Sequence, residues 1–304
     1  MTAASPYAYL ADAGEWTYSF ATAVGASPLL VLNDADAYGC LWASEEPEGA
    51  AAPAAVTPLD DRQYGDGAYA GETTFQPRPL TWTGSTTCPD RQGLSAAQAR
   101  LRAVASTRTR LLYTQADYPP KSLWVRAVDQ PKMRSFDGLG MDWSFTMVAE
   151  DPLWFDAAEL SAAILATRTI YLPQPPPGRV YNRTYNYIYG LAPAAQSGRV
   201  TITNAGDEWA QAVYTITGPV TNPIIVNATT SEFLGLVVTL TASDTLTIDT
   251  ADELMTFNGN PVYVPRTVGS TMPRIAPGAN DLRWSADTTN TTARLSVASA
   301  STWK

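Results

Sequence analysis

The chain has 304 residues, of which 45% are hydrophobic and 16% charged, and its formal net charge is −9. This composition excludes a disordered tail and a coiled coil, and the negative charge argues against nucleic-acid binding through the phosphates. The sequence contains no histidine, which excludes Ser-His-Asp and Cys-His catalysis and histidine-ligated zinc.

The sequence also argues against export and membrane insertion. Its first residues lack a basic stretch and reach Asp12 and Glu15 before an apolar segment can form, unlike a signal peptide. The longest uncharged run, Trp209 to Ser231, is broken by Pro219 and Pro223, so we expect no membrane helix. The two cysteines, Cys40 and Cys88, could form one bridge or remain thiols, and we expect two free, buried thiols.

The first half predicts a β-rich domain. An apolar run from Leu29 to Leu32 predicts a short strand that ends in a turn. Arg110 to Ala116 and Ser122 to Gln130 predict a β-hairpin joined through a proline-containing corner. Alternation from Met141 onward, with Trp143, Phe145 and Met147 on one face, predicts a further strand.

A helix is predicted between these strands. Ser95 and Gln98 have the spacing of a capping box. Four apolar residues fall on one helical face, namely Leu94, Ala97, Leu101 and Val104. A second helix is predicted from Ala157 to Ala166.

The second half alternates with period two, which predicts antiparallel sheets packed face to face as a sandwich or jelly roll. The alternating segments are Arg199 to Thr203, Thr245 to Asp249 and Arg294 to Ala298. The proline-rich stretch from Leu172 to Gly178 predicts a domain boundary. We therefore expect an N-terminal domain at 1–168, a linker at 169–197 and a C-terminal β-sandwich at 198–304, in a mainly β protein.

Candidate metal and catalytic groups are weak. Asp34, Asp36, Gly39 and Glu45 fit four positions of a calcium loop, but Tyr38 occupies a ligand position, so a polar hairpin tip is the favoured interpretation. Paired carboxylates could hydrolyse a glycosidic bond, but the sequence shows no pair at the required spacing. We expect neither an enzyme nor a cofactor or metal site.

The aromatic residues of the second half permit two interpretations. Sugar-binding sandwiches stack sugar rings on exposed aromatic side chains, whereas most aromatic side chains fill a core. The core interpretation is favoured for the candidates Trp209, Tyr214, Phe233, Tyr263, Trp284 and Trp303.

Charge is segregated within the first domain. Nine acidic residues and one basic residue lie between Asp34 and Glu72, and eight basic and two acidic residues lie between Arg100 and Arg134. These segments could neutralise each other within one chain or join neighbouring copies head to tail. The candidate interface residues are Arg100, Arg110, Lys121, Arg126, Arg134, Glu45, Glu46, Asp60 and Asp61. The loop from Ala43 to Gly71 has no periodicity, and we interpret it either as an arm that orders against a neighbour or as a disordered insertion.

The order of these segments resembles a known family. The hairpin from Leu111 to Val128, the strand that ends in Ala149-Glu-Asp-Pro-Leu-Trp-Phe155, and the segments Val200 to Asp207 and Ile275 to Trp284 resemble distal tail proteins of phages with long, non-contractile tails. The resemblance spans residues 72–165 and 198–298. The acidic loop at 43–71 has no counterpart in it.

The resemblance implies a structural virion protein without catalytic residues. It implies a ring, generally of six subunits, that joins the tail tube to the tail tip or baseplate, and a galectin-like C-terminal sandwich. We expect the hairpin at 110–130 and the charged segments around it to form the inter-subunit belt. The implied partners are copies of the chain itself, the tail tube protein, and the hub and tape-measure proteins, after assembly in the bacterial cytoplasm. The alternative is a protein that binds host cell-wall glycans through its C-terminal sandwich.

Overall fold

The computed structural model describes residues 16–71, 73–157, 166–172, 198–287 and 292–304. The chain divides into two compact units, each described here by itself. Unit 1 comprises Met1–Ala163 together with Trp303–Lys304, and unit 2 comprises Ile164–Thr302. The predicted second helix falls mainly on residues 158–165, which lie outside the described residues.

Unit 1 consists of strands and one described helix. Its elements are β1 (Trp16–Ala21), β2 (Leu30–Leu32), β3 (Leu41–Ser44), β4 (Ala55–Val56), β5 (Leu59–Asp61), β6 (Ala68–Ala70), β7 (Thr74–Phe75), β8 (Arg78–Thr87), α1 (Arg91–Ser106), β9 (Thr109–Gln115), β10 (Lys121–Ala127), β11 (Lys132–Phe136), β12 (Gly140–Ala149) and β13 (Trp154–Asp156).

The main sheet of unit 1 is a near-barrel. Its strands follow the order β2-β1-β9-β10-β12-β8-β3, and every pair is antiparallel. Its two end strands meet at the turn that joins them, where Asn33 donates its N–H to the Trp42 carbonyl at 2.8 Å and Ala35 bridges Leu41. The predicted hairpin is confirmed as β9 and β10, and the strand at Met141 is confirmed as β12.

The alternation of β12 explains the core of unit 1. Trp143, Phe145 and Met147 are buried, whereas the residues between them face outward. Phe145 stacks on Trp82 of β8 with ring centroids 5.3 Å apart, and Phe20 of β1 meets Trp82 edge to face at the same distance. Aromatic side chains bury large areas, and offset or edge contacts add about 0.5–1.5 kcal/mol for each pair.

The first predicted helix is confirmed, but its predicted start was wrong. The buried face contains the expected apolar residues, Leu94, Ala97, Leu101 and Val104. The helix begins one turn earlier than predicted, because Asp90 is the N-cap and its carboxylate accepts the Gly93 N–H at 2.6 Å. Ser95 and Gln98 therefore lie inside the helix, and Gln98 donates to the Ser135 hydroxyl at 3.0 Å.

The expectation of free thiols was also wrong. Cys40 and Cys88 form a disulfide, with Cα atoms 4.1 Å apart. The cause is the register of β3 against β8: Leu41 pairs with Thr87, so the cysteines that flank this pair, one residue out on each strand, are neighbours across the two strands.

Unit 2 contains the remaining strands. They are β14 (Ala166–Tyr171), β15 (Arg199–Asn204), β16 (Ala212–Thr217), β17 (Val220–Thr221), β18 (Ile224–Asn227), β19 (Glu232–Gly235), β20 (Thr239–Leu240), β21 (Thr245–Asp249), β22 (Leu254–Phe257), β23 (Asn260–Pro261), β24 (Gly278–Ser285), β25 (Arg294–Ser299) and β26 (Thr302–Trp303), of which Trp303 groups with unit 1.

Two antiparallel sheets enclose the core of unit 2. The six-stranded sheet has the order β14-β25-β16-β21-β22-β23, and the four-stranded sheet has the order β15-β24-β18-β19. Of the alternating residues predicted to point inward, Leu246, Ile248, Leu295 and Val297 are fully buried and Ile202 is buried, whereas Val200 is half-buried. The predicted mainly β fold with a C-terminal β-sandwich is confirmed.

The domain boundaries drawn from the sequence differ from the compact units. Strand β14 pairs along its length with β25 inside unit 2, whereas the prediction assigned residues 166–168 to the N-terminal domain and residues 169–171 to the linker. Trp303, which was assigned to the C-terminal domain, packs against the core of unit 1. No helix among the described residues has the length and apolar character to cross a membrane.

Candidate assembly surfaces

An ion pair between described residues joins the acidic segment of unit 1 to its basic segment. Asp36, in the turn between β2 and β3, forms a close ion pair with Arg100 of α1, whose guanidinium also lies 4.8 Å from the centre of the Tyr38 ring. The Asp36 carboxylate also accepts the Cys40 N–H at 3.0 Å and the Trp42 indole N–H at 3.2 Å. Arg100 and Asp36 thus fix a turn within the chain, as the hairpin-tip interpretation predicted.

Arg110 is not available to a neighbouring copy. It is 5% exposed, and its guanidinium donates to the Ser122 hydroxyl at 3.2 Å and to the Ala157 carbonyl at 3.1 Å. Burial lowers the pKa of Arg110 below its usual value. The Arg110 guanidinium therefore stabilises the interior of unit 1 through these hydrogen bonds, and Arg110 is not an interface residue.

The other basic candidates lie on the surface. Lys121 begins β10, and its ammonium group lies 5.0 Å from the centre of the Trp303 ring. Arg126 of β10 and Arg134 of β11 are exposed, and neither forms an ion pair with another described residue. These two arginines are cations that a partner could reach.

The segment that lacked periodicity folds as a two-stranded ribbon, here called the arm (residues 54–76, of which all except residue 72 are described). β4 pairs with β7 near its base, and β5 pairs with β6 near its tip. Between the two pairs, the Gly71 N–H donates to the Pro58 carbonyl at 2.8 Å. The hairpin was missed because its strands are two or three residues long and separated by prolines, so no alternation develops.

The arm exposes apolar and acidic side chains together. Leu59 is 67% exposed, Tyr69 65% and Tyr64, at the tip, 92%. The candidates Asp60 and Asp61 lie on β5, are exposed, and form no ion pair with another described residue. A two-stranded ribbon is only marginally stable alone in water, so these side chains form a surface suited to a partner.

The base of the arm is anchored in unit 1. Arg78 of β8 is 1% exposed and donates to the Ala50 carbonyl at 3.2 Å, and burial lowers the pKa of its guanidinium to about 10, opposed by the Asp151 carboxylate. Gly49 has a φ of +90°, and a Cβ there would overlap the Pro79 carbonyl oxygen. The exposed candidates Glu45 and Glu46 precede this base.

The aromatic candidates of the second half divide as follows. Tyr214 and Trp284 are buried, Trp209 is half-buried beneath the Arg274 guanidinium, and Phe233 is half-buried. Tyr263, in contrast, is 86% exposed. The core interpretation is therefore wrong for Tyr263, because it follows the end of β23 rather than lying within an alternating strand.

No group of three or more Cys, Asp and Glu side chains in the described ranges lies close enough together to hold a metal ion. Asp34, Asp36 and Glu45 are not brought together as a calcium loop would require, and Asp36 is already the acceptor of several protein donors.

Comparisons with known proteins show what the chain resembles. Residues 205–296 match the family model described as "Siphovirus-type tail component, C-terminal domain". The matched residues lie within unit 2, which is thus similar to the C-terminal domain of siphovirus-type tail components. No curated protein sequence matches the chain.

Solved structures extend the comparison to the whole fold. The crystal structure of SPP1 Dit (gp 19.1), described as a paradigm of the hub adsorption apparatus in phages that infect Gram-positive bacteria, matches 95% of this chain and 99% of its own, with 12% identity and a TM-score of 0.57. The phage P2 baseplate in its activated conformation with Ca matches 95% of this chain and 98% of its own, with 11% identity and a TM-score of 0.45. The family model confirms the resemblance to distal tail proteins for residues 205–296, and the match to SPP1 Dit shows that the chain shares its fold.

Proposed function

We propose that the chain is a structural hub of a siphovirus tail tip, in which copies assemble head to tail into a closed ring of six. The ring would join the tail tube to the tail tip or baseplate and contact the tube, hub and tape-measure proteins. The proposal assigns the chain no catalytic step and no cofactor. It is supported by the family match of residues 205–296 and by the fold shared with SPP1 Dit.

The arm is the observation that carries the proposal. It exposes Leu59, Tyr64 and Tyr69, which a single copy of unit 1 leaves in water. A second copy of the chain is the occupant that fits it, because the same unit presents exposed cations on β10 and β11 and exposed carboxylates on β5. A contact between two different surfaces of identical subunits is heterologous, and it closes into a ring when the rotation permits.

Charge would set the register of this contact, and apolar burial would supply most of its affinity. Exposed ion pairs contribute only about 0–1 kcal/mol each, so Asp60 and Asp61 opposite Arg126 and Arg134 orient neighbours more than they hold them. Salt screens such pairs, so the assembly should form more slowly and less completely at high ionic strength.

A charge-swap experiment tests the pairing. Asp60→Lys with Asp61→Lys should shift the full chain from rings to monomers in native mass spectrometry and negative-stain images, and so should Arg126→Glu with Arg134→Glu. Combining all four substitutions should restore rings, because the signs are again complementary. Asp252→Lys, an exposed position of unit 2, is the matched control and should leave the rings intact.

The outcomes discriminate the hypotheses. A wild-type chain that stays monomeric at high concentration and low salt contradicts ring assembly. Rings that survive both double substitutions contradict the proposed pairing of the arm with the basic strands. The ring would then be formed through other surfaces.

A further inference from the structure

The outer face of the six-stranded sheet in unit 2 carries a line of hydroxyl groups. The register pairs Thr169 with Ser296, Ser296 with Thr215, Thr215 with Thr247, and Thr247 with Thr256, so one hydroxyl residue of each of five neighbouring strands lies in a single row. Neighbouring strands lie about 4.8 Å apart, so this hydroxyl row spans roughly 19 Å.

The hydroxyl groups of this row make no hydrogen bonds to other described residues. Within the described ranges, none of these five side chains makes a hydrogen bond to another residue, and all are half-buried or exposed. A hydroxyl is both donor and acceptor, so the row offers five bifunctional groups on one face of the sheet. Thr217 and Thr245, whose hydroxyls also make no hydrogen bond to another described residue, are opposite each other in the row beside it.

Strand propensity alone does not explain this face. Threonine is common in strands, but the outer face of the four-stranded sheet of the same unit carries charge: Asp281 accepts hydrogen bonds from Arg199 at 2.6 Å and from Arg283 at 2.7 Å. On the hydroxyl face, in contrast, no residue of the row is charged, and among the side chains that the structure describes on these strands the flanking rows carry Asp249 and Arg294.

A cleft lies one strand beyond one end of the hydroxyl row. Thr256 pairs with Pro261, which lines an open cleft of about 310 Å³ together with Glu253, Arg266 and the exposed Tyr263. An aromatic ring offers an apolar face on which the C–H groups of a sugar ring can pack, and the nearby carboxylate and guanidinium can hydrogen-bond its hydroxyls.

We propose that this surface, from the hydroxyl row to the cleft at Tyr263, binds an uncharged polysaccharide chain of the bacterial cell surface. A linear glycan alternates hydroxyls with apolar ring faces, which matches a neutral hydroxyl row with the exposed ring of Tyr263 beyond one end and the exposed Tyr171 beside the other. The absence of charge along the row disfavours anionic polymers. The surface lies in unit 2, so it does not depend on the ring contacts proposed for unit 1.

Affinity electrophoresis of the full chain tests the proposal. Native gels cast with dextran, laminarin or galactomannan should retard the wild-type chain, and a bacterial glycan array should identify neutral ligands. Tyr263→Ala should weaken binding about tenfold, because it removes the apolar platform. Thr215→Val with Thr247→Val should weaken it to a similar degree while keeping β-branched side chains in the strands.

Matched controls separate binding from folding and from assembly. Tyr64→Ala removes an exposed tyrosine from the arm, and Thr201→Val removes an exposed hydroxyl from the other sheet, so both should bind glycan as the wild type does. Ring formation by the Tyr263→Ala chain shows that loss of binding is independent of the hub role. The proposal is overturned if no neutral glycan is bound, if only anionic glycans are bound, or if the face variants instead abolish contact with another virion protein.

Discussion

Removal of the Cys40–Cys88 disulfide should destabilise unit 1 strongly. The crosslink closes a loop between residues 48 positions apart, for which the chain-entropy relation gives about 4 kcal/mol at 25 °C. For a domain of this size, a loss of about 4 kcal/mol lowers the midpoint of thermal unfolding by about 8–16 °C. The double variant Cys40→Ala with Cys88→Ala avoids leaving a single reactive thiol.

Differential scanning calorimetry of the full chain measures this effect. The oxidised wild type, the reduced wild type and the double variant are compared, and mass spectrometry after alkylation verifies the redox state of each sample. The reduced wild type should unfold at a temperature close to that of the double variant, because both lack the crosslink. The small remaining difference reflects the buried sulfur atoms that only the variant lacks. Oxidised and reduced wild type that unfold within about 2 °C of each other would refute the reasoning, since the relation predicts a larger shift.

Two further predictions concern a helix cap and a surface ion-pair network. Asp90→Ala should cost about 1 kcal/mol of unfolding free energy in urea titration, whereas Ser95→Ala should cost much less, because only Asp90 caps α1; equal losses would contradict the assigned cap. Hydrogen bonds from Arg199 and, to a smaller extent, from Arg283 lower the pKa of Asp281 below its usual value. The contribution of the Asp281 carboxylate to stability is therefore complete above pH 3.8 and is lost as the pH falls through the folded-state pKa. Asp281→Asn should therefore be less stable than wild type at pH 7, and the difference should shrink below pH 3.8; a difference that is constant with pH would contradict this assignment.

The parts of the fold that could be predicted from the sequence are those with sustained periodicity. The strand at Trp143 and Phe145 and the helical face of Leu94 and Leu101 each repeat over enough residues to define one buried face. The cap at Asp90 was missed because Ser95 and Gln98 offered a second, competing capping pattern downstream.

Features that depend on register or on long-range contacts could not be predicted. The proximity of Cys40 and Cys88 follows from how β3 pairs with β8, and the hydroxyl row follows from how five strands align. Neither relation is encoded by local spacing. The burial of Arg110 could not be predicted for the same reason, because its hydrogen-bond acceptors, on Ser122 and Ala157, belong to other segments of the chain.

The position of the disulfide has a mechanical consequence for the arm. The arm leaves unit 1 between the end of β3 and the start of β8, and the crosslink ties the opposite ends of the same two strands. Tension on the arm therefore loads both strands at once, and the four-residue β3 cannot slide out on its own. The load passes instead to the ladder of ten residue pairs between β8 and β12, which resists shear along its whole length.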